Sequence, residues 1–540
     1  MAGHGSKPLR GLESTAQSSI QTGKFGRLFR WLPPAFQPAN NKEETEVEKL
    51  LGDLAPLMVS TEFNDRIDKE NETTPDTDIN TPEDEDENRE IPAGYTYLGQ
   101  FVDHDITFDS ASSLQQQNDP DALEDFRTPR LDLDSLYGRG PNDEPHLYER
   151  PARVKFRLGA NKGVNGQNRP DVLRTDDDTA LIGDKRNDEN KIVRQVHALF
   201  LKFHNKVFDD IATRFPGGGH GHFLEAQRIV RWCYQWVVLN DYLPKVCRDD
   251  VVKKIMPGEH ARRPNLDLYE AKSGEAYMPV EFSVAAFRFA HSMVRPSYSL
   301  NDIAKSSAEF KSKGGKTAKF ARIPIFVAQS NNPRDAMNGF GEPLPDAWGI
   351  DWAFFFGAMP GPDKGVKQVP QPSYRIDATL VDPLGALPEF VPSVGTGSPF
   401  ASLAFRNLMR GFRMGLPSGQ AVARMIGVPV MSDDELWLSK SKGDAAGAWP
   451  EGKKFFADNK RWLEGRAPLW FYILKEAELR EKGHRLGEVG SRIVAETLIG
   501  LAWLDHFSYL FQAPHWNPGM EGIGGLDKDL DMLKLTKYVG

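Results

Sequence analysis

Cysteine is almost absent: Cys233 and Cys247 are the only two among 540 residues. That excludes a disulfide framework and a cysteine-rich metal site, and leaves room for one disulfide at most. Long apolar runs are missing as well. Nothing approaches the ~20 consecutive apolar residues of a membrane span, and Trp236-Val237-Val238-Leu239 is too short and too interrupted. Residues 1–30 carry scattered Lys and Arg but no continuous apolar core. No secretory leader is therefore expected, and the chain reads as cytoplasmic or exported by a leaderless route. There is no basic block either. With a net charge of -9, a nucleic-acid groove is not expected.

Alternating strand patterns are scarce, whereas apolar residues recur at helical spacing, so the fold class expected is mainly α with few or no strands. Residues 1–90 read as an N-terminal arm followed by an acidic loop, and residues 91–540 as one large domain. The arm holds a short helix over 44–51. The loop, 64–90, centres on Glu83-Asp84-Glu85-Asp86-Glu87 and reads as solvated. Further helices are expected over 192–208, 223–243, 279–293, 401–412, 468–482 and 486–504. The run from Gly217 to His222 reads as a turn rather than a metal tract.

Three polar clusters interrupt these patterns. In Gly99-Gln100-Phe101-Val102-Asp103-His104-Asp105, a helix places Gln100, Asp103 and His104 on one face at i, i+3 and i+4. It turns Asp105 about 100° away. Burying so many polar groups among apolar neighbours is costly unless a ligand or metal satisfies them. The second cluster is Gly183-Asp184-Lys185-Arg186-Asn187-Asp188-Glu189, just before the helix at 192. Asp184, Asp188 and Glu189 suit capping of that helix, but Arg186 does not. The third is Phe287-Arg288-Phe289-Ala290-His291, stopped soon after by Pro296. A cation one turn from a candidate metal ligand suits a cofactor that carries both a metal and carboxylates, as haem does. His197 and His204 share a helix face, and packing explains them better than metal binding.

The order and spacing of these three clusters resemble the animal-type haem peroxidases, the peroxidase-cyclooxygenase superfamily, in a microbial member. Thr128-Pro129-Arg130-Leu131-Asp132-Leu133-Asp134 resembles the family's calcium loop, Asn240-Asp241-Tyr242-Leu243-Pro244 a helix end, and Asn407 through Pro417 its proximal asparagine helix. The resemblance covers about residues 91 to 510. It implies a helical fold around haem b, with His104 as distal base, Arg186 stabilising charge as the O–O bond breaks, and Gln100 holding a water or anion. His291 is then the iron ligand and the Asn407 oxygen accepts its ring N–H. Arg288 and Arg410 pair with propionates. Asp103 and Glu189 match carboxylates that become ester-linked to the haem, and Asn190 stands where myeloperoxidase has a methionine, so a third link is not expected.

Calcium is implied at Asp105, Thr128, Asp132 and Asp134, with Arg130 contributing its backbone carbonyl, and alternate residues of an extended loop converging on the ion. The expected activity is a haem peroxidase in which hydrogen peroxide, through a ferryl species, oxidises a halide, thiocyanate or small aromatic donor. A fatty-acid dioxygenase is the alternative. The radical-forming Tyr of that branch lies three residues before the proximal His, where this chain has Arg288. A non-catalytic haem- or calcium-binding protein is the third reading.

Overall fold

The computed structural model describes residues 23–60, 85–108, 124–125, 127–159, 170–257, 263–272, 275–301, 323–328, 336–358 and 370–540. Helices dominate. The long ones are α1 (Asn41–Leu54), α2 (Gly94–Ile106), α3 (Lys191–Arg214), α4 (His220–Val237), α5 (Leu403–Arg413), α6 (Leu469–Arg480) and α7 (Glu488–Leu504). The strands are two to six residues long and make only small sheets. β1 (Gly23–Gly26) pairs antiparallel with β3 (Glu124–Asp125) and parallel with β4 (Met278–Pro279), and β2 (Glu87–Pro92) pairs antiparallel with β7 (Pro372–Tyr374). Two further antiparallel pairs are β5 (Ser297–Tyr298) with β6 (Ile323–Pro324), and β8 (Ser439–Lys442) with β9 (Ala445–Ala448). Among the described residues, no helix is long and apolar enough to cross a membrane. Cys233 and Cys247 are both free and buried.

Helix α2 is held at the centre by close contact on every side. A Cβ on Gly94 would stand 2.5 Å from the Phe355 carbonyl oxygen, and one on Gly99 would stand 2.5 Å from the Tyr242 hydroxyl. Only glycine lets the helix approach that closely. On its inner side Phe101 stacks on Phe200 of α3, with centroids 4.9 Å apart, and meets Tyr234 of α4 edge-on at 6.2 Å. Such aromatic pairs contribute about 0.5–1.5 kcal/mol each beyond burial.

The first described segment packs on this body. Val47, Leu50, Leu51 and Leu54 of α1 are buried, and Arg413 of α5 forms ion pairs with Glu44 and Glu48 of α1.

Several local expectations are corrected. Residues 279–293 do not form a regular α-helix. A wide turn over Glu281–Ala285 passes into a 3-10 helix over Ala286–His291, the break falling at Ala285 (φ -126, ψ -69). The cap of α3 is neither Asp188 nor Glu189 but Asn190, whose side chain accepts from Ile192 and Val193 N–H. Asp188 is taken by Arg174 and Arg194, a stronger charge-assisted pairing. Of the acidic segment, residues 64–84 lie outside the described residues, and Glu87 to Glu90 belong to β2 rather than to a loop. There Glu87 is buried against Arg295 at 2.9 Å.

Candidate functional site

The amphipathic split of α2 appears as the spacing requires. Gln100, Asp103 and His104 face a cavity of about 1040 Å³, and Asp105 faces the other way. This volume lies near the upper end for cofactor and small-molecule sites, ~300–1,000 Å³. Arg186 and Glu189 from the turn before α3 line the same cavity, as do Arg288 and His291, and Asn407 and Arg410 of α5. Nine residues from four separate stretches thus share one space.

His104 is buried and its proton is placed by its neighbours. Nδ1 lies 2.9 Å from Asn187 Oδ1, so Nδ1–H donates and Nε2 keeps its lone pair. Burial, reinforced by the Arg186 charge, pushes its pKa down to about 4. The imidazole is therefore neutral near pH 7. Arg186 is held over Asp184 (2.8 Å), and its Nη2 also donates to the His104 and Thr107 carbonyls at 2.8 and 2.6 Å. Burial of Asp184 is outweighed by Arg186 and Arg127, which keep that carboxyl well below the usual range.

Glu189 behaves in the opposite way. Burial and the nearby Glu389 push its pKa up to about 8. Gln100 donates to Glu189 and accepts from Asn190 Nδ2 at 3.1 Å, so the N-cap of α3 is also part of the cavity wall.

Across the cavity, burial and Arg288 push the His291 pKa down to about 3. The Asn407 amide lies 2.8 Å from His291 Nδ1, with its nitrogen rather than its oxygen facing the ring. This differs from the expected acceptor role. In the placed orientation the ring proton stays on Nε2; a 180° turn of the isosteric amide brings the oxygen to Nδ1 and frees Nε2 as a ligand. Arg288 Nη1 ion-pairs with Asp103 at 3.2 Å.

Behind α2, Asp105, Asp132 and Asp134 each bring a carboxylate oxygen within 4.8 Å of the others. Thr128 joins them: its hydroxyl donates to Asp132 at 2.9 Å. The loop is not extended here. Leu133 adopts a left-handed conformation (φ 58) and begins a helical turn, and this brings Asp132 and Asp134 together. Burial and the other two carboxylates push the Asp105 pKa well above its usual value. Arg130 sends its side chain to Asp505, 3.8 Å away.

Two connections were missed in the sequence. Arg127 bridges Asp134 (3.1 Å) and Asp184 (2.6 Å), joining the acidic cluster to the residue beneath Arg186. Asn187 joins His104 to His197, whose Nδ1 is 3.0 Å from the amide nitrogen. His204 is bonded to the Tyr137 hydroxyl and the Val154 carbonyl, each at 3.0 Å, as packing required.

The sequence pattern of the animal haem peroxidase family matches residues 112–341. Rat thyroid peroxidase is 29% identical over 119 residues, which is 22% of this chain and 12% of that protein. Mouse myeloperoxidase is 27% identical over 117 residues, 22% of this chain and 15% of that protein. Residues 112–341 are thus similar to the animal haem peroxidases, and the chain spans less than a sixth of the length of these two relatives.

Solved structures extend the likeness of fold over most of the chain. Peroxidase A from Dictyostelium discoideum superposes with TM-score 0.51 at 16% identity, covering 83% of this chain and 85% of that one. Fatty acid alpha-dioxygenase from Oryza sativa gives 0.54 at 14%, covering 84% and 74%. The family match includes Arg186, Glu189, Arg288, His291 and the loop from Thr128 to Asp134. Gln100, Asp103, His104, Asn407 and Arg410 fall outside it, and the fold brings them in.

Proposed function

We propose that this oxidoreductase is a haem peroxidase, a microbial member of its superfamily, which uses hydrogen peroxide to oxidise a halide, thiocyanate or small aromatic donor. The observation that carries the reading is the shared cavity, in which neutral His104 and Arg186 stand on one wall and neutral His291 on the other.

The residues fit a haem. His291 is a half-buried imidazole with the Asn407 carboxamide at its Nδ1, and with that amide turned over the pair suits an iron ligand. Arg288, Arg406 and Arg410 line the wall and suit a group bearing carboxylates, and the presence of Asp103 and Glu189 in the same lining supports the ester links. When bound, haem supplies the redox-active iron that accepts oxidising equivalents from peroxide and passes them to the donor.

The chain's own part is proton handling and charge stabilisation. His104 Nε2 accepts the first proton of peroxide and returns it to the departing oxygen, a role open to a neutral ring but closed to a protonated one. Arg186 uses Nη2 on the backbone and Nε on Asp184, which leaves Nη1 to stabilise negative charge developing on the departing oxygen. Gln100 positions a small polar molecule beside them. Asp105, Thr128, Asp132 and Asp134, with the Arg130 carbonyl, form a calcium site; hard oxygen donors and the unfavourable gathering of buried carboxylates support that cation.

Arg288 favours this reading over a fatty-acid dioxygenase. It occupies the position three residues before His291 and is engaged with Asp103, and an arginine cannot form the tyrosyl radical used at that position. The test is an absorption spectrum before and after hydrogen peroxide, repeated with His104→Ala. A Soret band that shifts with peroxide in the wild type, and far more slowly in the variant, is expected. Absence of the band, or an unchanged response in the variant, overturns the proposal.

A further inference from the structure

We infer that Asn187 is a positioning residue that fixes the proton of His104 on Nδ1 and so presents the Nε2 lone pair to the cavity. The inference rests on the reading of His104 as proton acceptor.

The geometry is a three-member chain. Asn187 is fully buried on the 3-10 turn Lys185–Asp188, between α2 and α3. Its Oδ1 lies 2.9 Å from His104 Nδ1 and its Nδ2 lies 3.0 Å from His197 Nδ1. A carboxamide has an acceptor end and a donor end. Facing two imidazoles, it dictates opposite tautomers: His104 carries its proton on Nδ1, and His197 carries its proton on Nε2. Turning the amide over would exchange both tautomers at once and place a proton on His104 Nε2, where the proposed chemistry needs a lone pair.

His197 anchors the far end. It is fully buried on α3, and its Nε2 has no hydrogen-bond partner among the described residues. Asn187 is therefore the hydrogen-bond partner of the His197 ring among the described residues. Phe101 stands edge-on to its ring at 6.1 Å and fixes its plane. Arg186 and Asn187 are adjacent in the chain, so one short turn delivers both the cation that faces the cavity and the amide that orients the base.

Aspartate and leucine at position 187 separate the roles of the two ends. Asn187→Asp keeps an acceptor for His104 Nδ1–H and loses the donor to His197. Asn187→Leu has similar volume and neither. The primary readout is nitrogen NMR of ¹⁵N-histidine-labelled protein, in the reduced carbon-monoxide form where haem iron is present. Expected are an Nδ1-protonated His104 in wild type and in Asn187→Asp, and mixed tautomers in Asn187→Leu. The second-order rate with hydrogen peroxide should fall ~10–100-fold in Asn187→Leu, the range found for partners that orient metal-ligating histidines, with the KM for the reducing donor unchanged. Asn187→Asp should recover most of that rate.

An Nε2-protonated His104 in wild type overturns the inference and needs no variant to fold. A peroxide rate within twofold of wild type in Asn187→Leu, with the tautomer unchanged, also overturns it. Should His104→Ala react as fast as wild type, the proton-acceptor role itself falls. A slow His104→Ala beside a normal Asn187→Leu removes only the positioning role.

Discussion

Arg288 and Asp103 meet at 3.2 Å, joining the segment that carries His291 to the helix that carries His104. The pair ties the two walls of the cavity through groups that the family resemblance assigns to a cofactor: the cation to a carboxylate, the acid to an ester. In the protein as it stands each is the other's counter-charge.

Breaking that pair from one side should therefore cost more than removing it. Asp103 is buried, so Arg288→Gln leaves its carboxylate without a counter-charge, at about 1–3 kcal/mol. The double variant Arg288→Gln, Asp103→Asn should recover most of the loss. Urea unfolding of the three variants in a double-mutant cycle gives the coupling, and additive single effects would show that the pair contributes nothing.

Glu189 makes a pH prediction of definite sign. Its native pKa is about 8, raised first by burial and then by Glu389, against an ordinary 4.5. Between those two values the folded chain binds the extra proton, so this group's contribution to stability falls as pH rises from 4.5 to 8 and is flat beyond. Glu189→Gln removes that dependence. The stability of wild type relative to the variant should decline from pH 5 to pH 8 in denaturant titrations, and Glu389→Gln should move the lower plateau to smaller pH.

Much of this site could be read before the fold was seen, because helical spacing alone puts Gln100, Asp103 and His104 on one face and Asp105 on another. His291 and Arg288 were visible as an isolated pair of polar groups in an apolar run. Asn187 was not, since its meaning lies in a contact with His197 on the following helix, and nothing in Arg186-Asn187-Asp188 distinguishes it from a turn residue. Glu389 left no signal, being a single charge in a Pro-rich connection, and Arg406 none, being one of three arginines on α5; only the closed fold brings them to the cavity. The break at Ala285 was hidden for a different reason. Apolar periodicity over 279–293 reports which side chains are buried, and a wide turn followed by a 3-10 turn buries nearly the same ones.

Buried neutral histidines should set the acid limit of stability. His204 is fully buried, and its pKa is pushed down to about 4 by burial, while both ring nitrogens are engaged. The unfolded chain takes up a proton at 6.5 and the folded chain does not until about 4. Stability is thus complete above 6.5 and is lost as pH falls through that window, by about 3 kcal/mol for this group. His197, with a pKa near 3, adds in the same direction. Unfolding free energies at pH 7, 6, 5 and 4 should show the decline, and His204→Gln, less stable at pH 7, should show a shallower one.

Calcium removal should reach the cavity through Arg127. The cation is proposed to neutralise Asp105, Asp132 and Asp134; without it that charge falls to side chains such as Arg127, which pairs with Asp134. Stronger recruitment of Arg127 to the acidic cluster weakens its hold on Asp184, the carboxylate that seats Arg186. Chelation should then lower the melting temperature and slow the reaction with peroxide together. Saturating calcium at 100 times its Kd is worth about 2.7 kcal/mol to the folded state. Asp134→Asn should reduce that gain, and Arg127→Gln should slow the peroxide reaction at any calcium concentration. Thermal melts and peroxide rates across a calcium titration measure both. A chelated protein with a lowered melting temperature and an unchanged peroxide rate would show that the acidic cluster supports the fold alone and that Arg127 carries nothing to Arg186.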